Sequence, residues 1–179
     1  ALTRDLALCL IPPHPSAQSY SAASFDGVIL VEPMRDDPLV AHFEARKTPI
    51  VSIGTVAGRP DIPAVDIRSR QTAEMLLDHL AGQGCRQVAA LIGAGSRTSQ
   101  IESIEAYEAF AARQQIRPRL LLLDEEEAEE TAYGQMCDLL HSDPEIDGIF
   151  AAIDAFATGA VRAARQRGAL EHAVAVCSG

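Results

Sequence analysis

The chain has 179 residues, of which 47% are hydrophobic and 22% charged, and its formal net charge is -10. This composition is typical of a globular protein with a substantial core and excludes an intrinsically disordered chain. The acidic balance argues against direct binding to a phosphate backbone, because such binding requires a basic face.

The cysteines and the longest apolar runs indicate in which cellular compartment the protein is located. Cys9, Cys85, Cys137 and Cys177 lie far apart and form no C-x-x-C pair, which favours free thiols in a reducing environment. Apolar runs such as residues 120–123 are far too short to cross a bilayer. We therefore expect a soluble, cytoplasmic protein with no membrane partner.

A series of short apolar segments predicts β-strands. These segments are residues 6–11, 27–32, 49–54, 87–93, 119–124, 147–153 and 173–177. Their apolarity is nearly continuous rather than alternating, which is typical of strands that are buried on both faces of a parallel sheet.

Between the later strands, apolar residues recur at helical spacing. The stripes run from Ala73 to Ala81, from Ile101 to Ala111, from Tyr133 to Leu140 and from Ala157 to Ala164. Gly84 and Gly168 follow the first and the last stripe and predict helix ends there. Strands that alternate with helices predict a parallel α/β sheet with right-handed crossovers.

Asp154 stands where the strand predicted at 147–153 meets the next helix. In parallel α/β sheets, ligands bind at the carboxyl ends of the strands. One interpretation of Asp154 is an N-cap that accepts a backbone N–H from the first helical turn. The other is a hydrogen-bond acceptor directed into a cleft, and one carboxylate can serve both roles.

Four longer segments carry motifs in a fixed order: "FDGVILVEPMRDDPLV", "TPIVSIG", "AVDIRSRQTAEMLLDHLAGQGCRQVAALIG" and "DGIFAAIDAFATGAVRAARQRGALEHAVAV". Together, from Asp26 onward, they resemble the effector-binding core of LacI/GalR-type transcriptional regulators. The resemblance implies a type I periplasmic-binding-protein-like fold, in which two Rossmann-like lobes with parallel sheets hold a small ligand between them. It also implies a homodimer, to which the small-residue face of a helix over residues 155–167 could contribute.

The same resemblance divides the chain into an N-terminal lobe at residues 1–66 and a C-terminal lobe at residues 67–179. The family pattern extends beyond both ends of this chain, and the connection at residues 12–25 is shorter than in the family. We therefore expect an incomplete N-terminal lobe, and we expect DNA to be bound only through a helix-turn-helix headpiece that is absent from the sequence.

Matching the family position by position gives the expected ligand contacts. Asp154 matches the aspartate of the family's Asn-Asp motif, in which Ile153 replaces the asparagine. Arg97 matches a place where some members present a ligand-binding arginine, and its alternative is a solvated loop residue. Ser103 replaces a common anchoring arginine, and Glu127 falls near the position of a stacking aromatic ring. The complete expected set is Asp154, Arg97, Ser103, Ser99, Glu127 and Ile153.

The implied function is the sensing of a sugar-like effector between two lobes, coupled to DNA binding by the headpiece. The departures at Ile153, Ser103 and Glu127 leave open an atypical ligand or a loss of sensing. A solute-binding protein of a sugar transporter is the alternative, and a signal peptide in place of a helix-turn-helix would favour it.

No cofactor, metal or catalytic centre is expected. The loop "GAGSRTS" at 93–99 lacks the third glycine of a dinucleotide site and the Gly-Lys-Ser/Thr of a P-loop. The carboxylates of "DEEEAEE" at 124–130 would point in different directions at the start of a helix, where the helix dipole already favours them. No G-x-S-x-G motif is present, and we expect no enzyme.

Overall fold

The computed structural model describes residues 7–11, 24–168 and 174–177. The strands are β1 (Val28–Val31), β2 (Ile50–Ile53), β3 (Ala64–Val65), β4 (Val88–Gly93), β5 (Arg119–Leu123), β6 (Gly148–Ala151) and β7 (Val174–Cys177). The helices are α1 (Pro38–Ala45), α2 (Ser69–Gly82), α3 (Thr98–Gln114), α4 (Ala128–Ser142) and α5 (Asp154–Gln166). The four predicted helical stripes fall within α2 to α5.

The strands form two separate parallel sheets. The first has the order β1-β2-β3 and the second the order β5-β4-β6-β7. Every pairing within them is parallel, which confirms the expected class of two α/β lobes with parallel sheets. The chain leaves the first sheet after Val65, and α2 begins at Ser69.

The second sheet is covered on both faces. All residues of β4 and β6 are buried, since α4 and α5 pack on one face around Met136 and Phe156 and α2 and α3 pack on the other around Leu77 and Phe110. Burying such a side chain contributes about 1.5–3 kcal/mol, so this two-sided core is the main source of stability in the lobe.

Tyr107 ties α3 to the second sheet through its hydroxyl. The hydroxyl donates to the carbonyl oxygen of Val88 at 2.8 Å and accepts the backbone N–H of Arg119 at 2.7 Å. The side chain is fully buried. Burial raises the pKa of Tyr107 above its ordinary value of 10.0, although the hydrogen bond from Arg119 acts in the opposite direction.

Among the described residues, the first sheet is covered on one face only. Leu30 packs with Val40 of α1 and with Val56 and Ile62 of the following loop. On the opposite face lie Ile29, Val31, Val51, Ile53 and Val65, which are between 42% and 70% exposed. The prediction of strands buried on both faces is therefore confirmed for β4 and β6 and wrong for β1 and β2, because no described element packs on their second face.

The strand predicted at residues 6–11 is also wrong within the described residues 7–11, which form no strand and are exposed; residue 6 lies outside the described part. An extended segment needs a neighbouring strand to pair its backbone groups, and none of the described strands pairs with this one. The strand predicted at 173–177 is observed at 174–177, and residue 173 again lies outside the described part.

The small-residue face of α5 packs inside its own lobe. Gly159, Ala160, Ala163 and Ala164 are buried, and a Cβ on Gly159 would collide with the carbonyl oxygen of Glu129 in α4. The close approach of α4 and α5 therefore depends on this glycine. The expected contribution of this face to a dimer is wrong, because α4 already occupies it.

Candidate functional site

The two lobes meet at the carboxyl ends of their strands. Met34, after β1, forms an isolated antiparallel bridge with Arg97, after β4. Next to it, the backbone N–H of Arg35 donates to the carbonyl oxygen of Ser96 at 3.1 Å. The hydroxyl of Thr98 donates to the carbonyl oxygen of Thr55, after β2, at 2.9 Å. Loops that follow strands of both sheets thus form one boundary, where ligands of parallel α/β sheets bind.

Glu32 crosses this boundary with its side chain. It follows β1 in the left-handed region, at φ 47°, which is uncommon and costly for a residue with a Cβ. Its carboxylate accepts a 2.6 Å hydrogen bond from the hydroxyl of Ser99, the second residue of α3. Gly54 leaves the space for it, because a Cβ at Gly54 would collide with the Glu32 carboxyl group.

Arg97 is held within its own lobe. Its guanidinium donates to both carboxylate oxygens of Glu125, at 2.7 and 2.6 Å. The amide of Gln100 donates to the same carboxylate at 2.8 Å, and its oxygen accepts the backbone N–H of Arg97 at 3.1 Å. Both ion-pair side chains are about one third exposed, so the pair contributes about 1 kcal/mol or less to stability. Its main effect is to fix the direction of the arginine.

A cavity of about 490 Å³ adjoins the boundary. Its apolar walls include Val56 and Ile62 from the first lobe and Ile101 from α3, and the bonded pair Thr55 and Thr98 lies on its lining. The volume is in the range that small-molecule sites occupy, and such sites are usually apolar with a few fixed polar groups. The cavity is therefore a candidate ligand site to which both lobes contribute.

The structure brings two of the six expected contacts to the lobe boundary, Arg97 and Ser99. Ser103 follows Ser99 one helical turn later and is only 5% exposed. Ile153 precedes α5 and packs against the core between α4, α5 and the sheet. Asp154 and Glu127 are exposed at the starts of α5 and α4. Within the described part, no hydrogen bond or ion pair joins Asp154 to Arg97.

Asp154 does not occupy the N-cap position that one interpretation gave it. Ile153 is the N-cap of α5, in extended conformation, and Asp154 is the first helical residue. Its carboxylate accepts the backbone N–H of Ala155 at 2.8 Å. A carboxylate in the first turn still interacts favourably with the helix dipole, by about 0.3–1 kcal/mol, and its exposure leaves it open to a ligand.

Four residues at the boundary were not predicted from the sequence: Glu32, Thr55, Gln100 and Glu125. Glu125 lies in the acidic segment 124–130, whose carboxylates the helix dipole explains, yet it precedes α4 and pairs with Arg97. Glu32 and Ser99 are 67 residues apart, so no local pattern connects them. No group of three or more potential metal ligands occurs among the described residues, and no described helix is long and apolar enough to cross a membrane.

Two parallel-sheet lobes that meet at their strand tips define the class of periplasmic-binding-protein-like ligand-binding domains. Residues 14–179 match the family described as periplasmic binding proteins and sugar binding domain of LacI family. The chain belongs to this family.

Two curated relatives agree with this assignment. The HTH-type transcriptional regulator CelR of Thermobifida fusca is 28% identical over 159 residues, which are 87% of this chain and 47% of the relative. The ribose operon repressor of Halalkalibacterium halodurans is 28% identical over 153 residues, 84% of this chain and 44% of the relative. The chain thus spans about half the length of the curated relatives it matches. Both relatives are named as regulators of transcription.

Solved structures show the same fold. A complex of transcriptional regulator CelR with cellobiose has a TM-score of 0.74 at 24% identity, over 89% of this chain and 50% of that one. A 5-methylthioribose transporter solute-binding protein from Thermotoga lettingae also has a TM-score of 0.74, at 18% identity, over 85% of this chain and 50% of that one. At these identities the likeness establishes the fold alone, which regulators and transport proteins share.

Proposed function

We propose that the chain is the effector-sensing part of a LacI-type transcriptional regulator in the cytoplasm. A small polar, sugar-like molecule binds between the lobes, and a helix-turn-helix headpiece outside this sequence binds the DNA. The observation that carries the proposal is the lobe boundary itself, where loops after β1, β2 and β4 meet beside a cavity lined from both sides.

The ligand contacts of this proposal come from both lobes. Asp154 and Arg97 contact the effector from the second lobe, with Ser99, Ser103, Glu127 and Ile153 close to them, and the loop after β1 contacts it from the first. The exposed carboxylate of Asp154 accepts hydroxyl hydrogens, and Arg97 donates. Cellobiose in the solved complex of transcriptional regulator CelR and ribose in the name of the ribose operon repressor support a sugar as the effector class.

The coupling of effector binding to DNA binding follows from the hydrogen bonds that cross the lobe boundary. The hydrogen bonds from Ser99 to Glu32 and from Thr98 to Thr55 hold the lobes at the observed angle. An effector that exchanges these bonds for its own shifts the population toward another angle, by no more than its difference in affinity for the two states. In a homodimer, the headpieces would respond to that angle.

A ligand screen tests the proposal. Differential scanning fluorimetry against cellobiose, ribose, other sugars, nucleosides and sugar phosphates should show at least one concentration-dependent rise in melting temperature, because a ligand that binds only the native state stabilises it. Asp154→Ala should abolish the shift while lowering the stability of the unliganded protein by no more than about 1 kcal/mol. Asp138→Ala, an exposed carboxylate on α4, is the matched control. An unchanged affinity in Asp154→Ala removes this residue from the site.

The solute-binding protein of a transporter remains the second candidate, supported by the shared fold with the 5-methylthioribose-binding protein. The complete gene distinguishes the two. A helix-turn-helix before this sequence establishes a regulator, whereas a signal peptide there establishes a transport protein.

A further inference from the structure

The charged residues on the lining of the cavity at the lobe boundary are basic, in a chain that is acidic overall. Its lining includes two arginines, Arg35 and Arg59, and no aspartate or glutamate, although the chain has 25 acidic and 15 basic residues. A concave surface with charge of one sign concentrates small ions of the other sign. An arginine on this lining without a carboxylate partner would therefore attract an anion, although the chain as a whole is acidic.

The two arginines differ in what they already bind. Arg59 donates to Glu44 at 3.1 Å and to Asp61 at 2.9 Å. The hydrogen bonds that Arg59 donates to Asp61 and, second, to Glu44 raise its pKa, so two carboxylates already neutralise this guanidinium. Arg59 therefore shapes the wall of the cavity and has little charge left for a ligand.

Arg35 has no such carboxylate partner in the part of the chain that the structure describes. Its backbone N–H donates to the carbonyl oxygen of Ser96 across the lobe boundary at 3.1 Å, and the residue is on the lining of the cavity. Across the described ranges 7–11, 24–168 and 174–177, its guanidinium forms no ion pair with a carboxylate. A planar guanidinium with unused N–H groups is the protein group best suited to a carboxylate or phosphate.

The opposite side of the cavity adds to this preference. Thr98, the first residue of the 17-residue helix α3, lies on the lining, and the N-terminal end of a helix carries a partial positive charge. The remaining walls include the apolar side chains of Val56, Ile62 and Ile101. The lining therefore combines one available cation, one positive helix end and an apolar surface.

We propose that the cavity binds a small organic acid, specifically a sugar acid, whose carboxylate pairs with Arg35 and whose ring packs against Val56, Ile62 and Ile101. This inference rests on the proposed function and narrows its effector from sugars in general to sugars that carry an acid group. None of the six contacts expected from the sequence lines this cavity, so the contact with Arg35 is additional to those proposed for Asp154 and Arg97. Arg35 is the residue that determines this specificity. The neutral sugar with the same ring lacks the group that Arg35 binds.

Matched pairs of ligands test the proposal. Isothermal titration calorimetry compares D-glucuronate with D-glucose, and D-galacturonate with D-galactose, because the members of each pair differ by a carboxylate in place of a hydroxymethyl group. We expect at least one acid to bind about tenfold or more tightly than its neutral partner, as a charge-assisted hydrogen bond provides. The advantage should shrink as sodium chloride is raised, since the cavity is open to solvent.

Two variants test whether Arg35 causes the tighter binding of the acid. Arg35→Gln should reduce the advantage of the acid to within about twofold, while Arg165→Gln, the same charge change on the exposed side of α5, should preserve it. The proposal is overturned if no acid binds better than its neutral partner, or if Arg35→Gln retains the advantage. Binding of neutral sugars without binding of any sugar acid would overturn this inference and leave the proposed function intact. Acid binding that depends on Arg35 but leaves hydrogen exchange at the lobe boundary unchanged would support the cavity and contradict effector sensing.

Discussion

Glu32 and Ser99 join the two lobes through one 2.6 Å hydrogen bond between a carboxylate and a hydroxyl. The acceptor follows a strand of the first sheet, and the donor lies in the first turn of α3 in the second lobe. Removing the donor leaves a partly buried carboxylate without its partner. The bond is thus a side-chain contact on which the relative position of the lobes depends.

Ser99→Ala should lower the free energy of unfolding by about 1–2 kcal/mol, because hydrogen bonds to charged groups contribute more than neutral ones. Amide hydrogen exchange should accelerate in residues 54–57 and 94–100, on both sides of the boundary. Ser142→Ala removes a hydroxyl that bonds the carbonyl of Leu139 at the exposed end of α4 and should change stability by less than about 0.5 kcal/mol. Equal effects of the two variants would show that the interlobe bond contributes nothing.

Tyr107→Phe should destabilise the second lobe by about 1–3 kcal/mol. The change leaves the carbonyl of Val88 and the N–H of Arg119 without the hydroxyl that bonds both, in a buried environment. Tyr133→Phe is the control, since its hydroxyl bonds the exposed side chain of Gln166. Chemical denaturation of both variants measures the difference, and a smaller loss in Tyr107→Phe than in Tyr133→Phe would contradict the assigned role.

Two glycines on neighbouring helices should respond to alanine with opposite signs. A Cβ at Gly159 meets backbone atoms of Glu129 and Tyr133, so Gly159→Ala must separate α4 from α5 at a cost of about 1–3 kcal/mol or more. Nothing lies within 4 Å of a Cβ at Gly134 in α4. Gly134→Ala should therefore stabilise the protein by up to about 1 kcal/mol through helix propensity. Thermal melts of the two variants measure both signs.

The loss of folding stability at low pH should depend on Arg59. Its hydrogen bonds lower the pKa of Glu44 below the ordinary 4.5 and that of Asp61 below 3.8. Lowered carboxyl pKa values stabilise the fold above the ordinary values, and this stabilisation is lost as the pH falls through the folded-state values. Arg59→Gln should therefore destabilise the protein more at pH 7 than at pH 3. Urea titrations at both pH values check this, with Arg165→Gln as the control.

The second lobe was predictable from sequence because its elements have local signals. Continuous apolar runs such as residues 87–93, and stripes such as Tyr133 to Leu140, directly reflect burial on both sides of a sheet. The helix α1 also has a local signal that was overlooked, since Asp37 accepts the N–H of Leu39 and Pro38 follows it. The short strand β3 has no apolar run of its own and depends on its pairing with β2.

The site was predictable only in part. The position of Asp154 and Arg97 after strands places them at the carboxyl edge, which is a property of the topology. The interlobe contact of Glu32 depends on a left-handed backbone and on a partner in the other lobe, and the charge of the cavity depends on which carboxylates already pair with Arg59. These contacts depend on the tertiary structure, and no spacing of residue types in the sequence encodes them.

The unequal covering of the two sheets has a mechanical consequence. The second lobe is packed on both faces of its sheet, whereas in the described part of the first lobe only α1 and the loop residues Val56 and Ile62 cover the sheet. Heating should therefore melt the first lobe first and produce two transitions rather than one. A conformational change that begins at the lobe boundary would then pass from the more rigid second lobe into the less rigid first lobe. A less rigid lobe lets a small molecule change the shape of the protein at modest energetic cost.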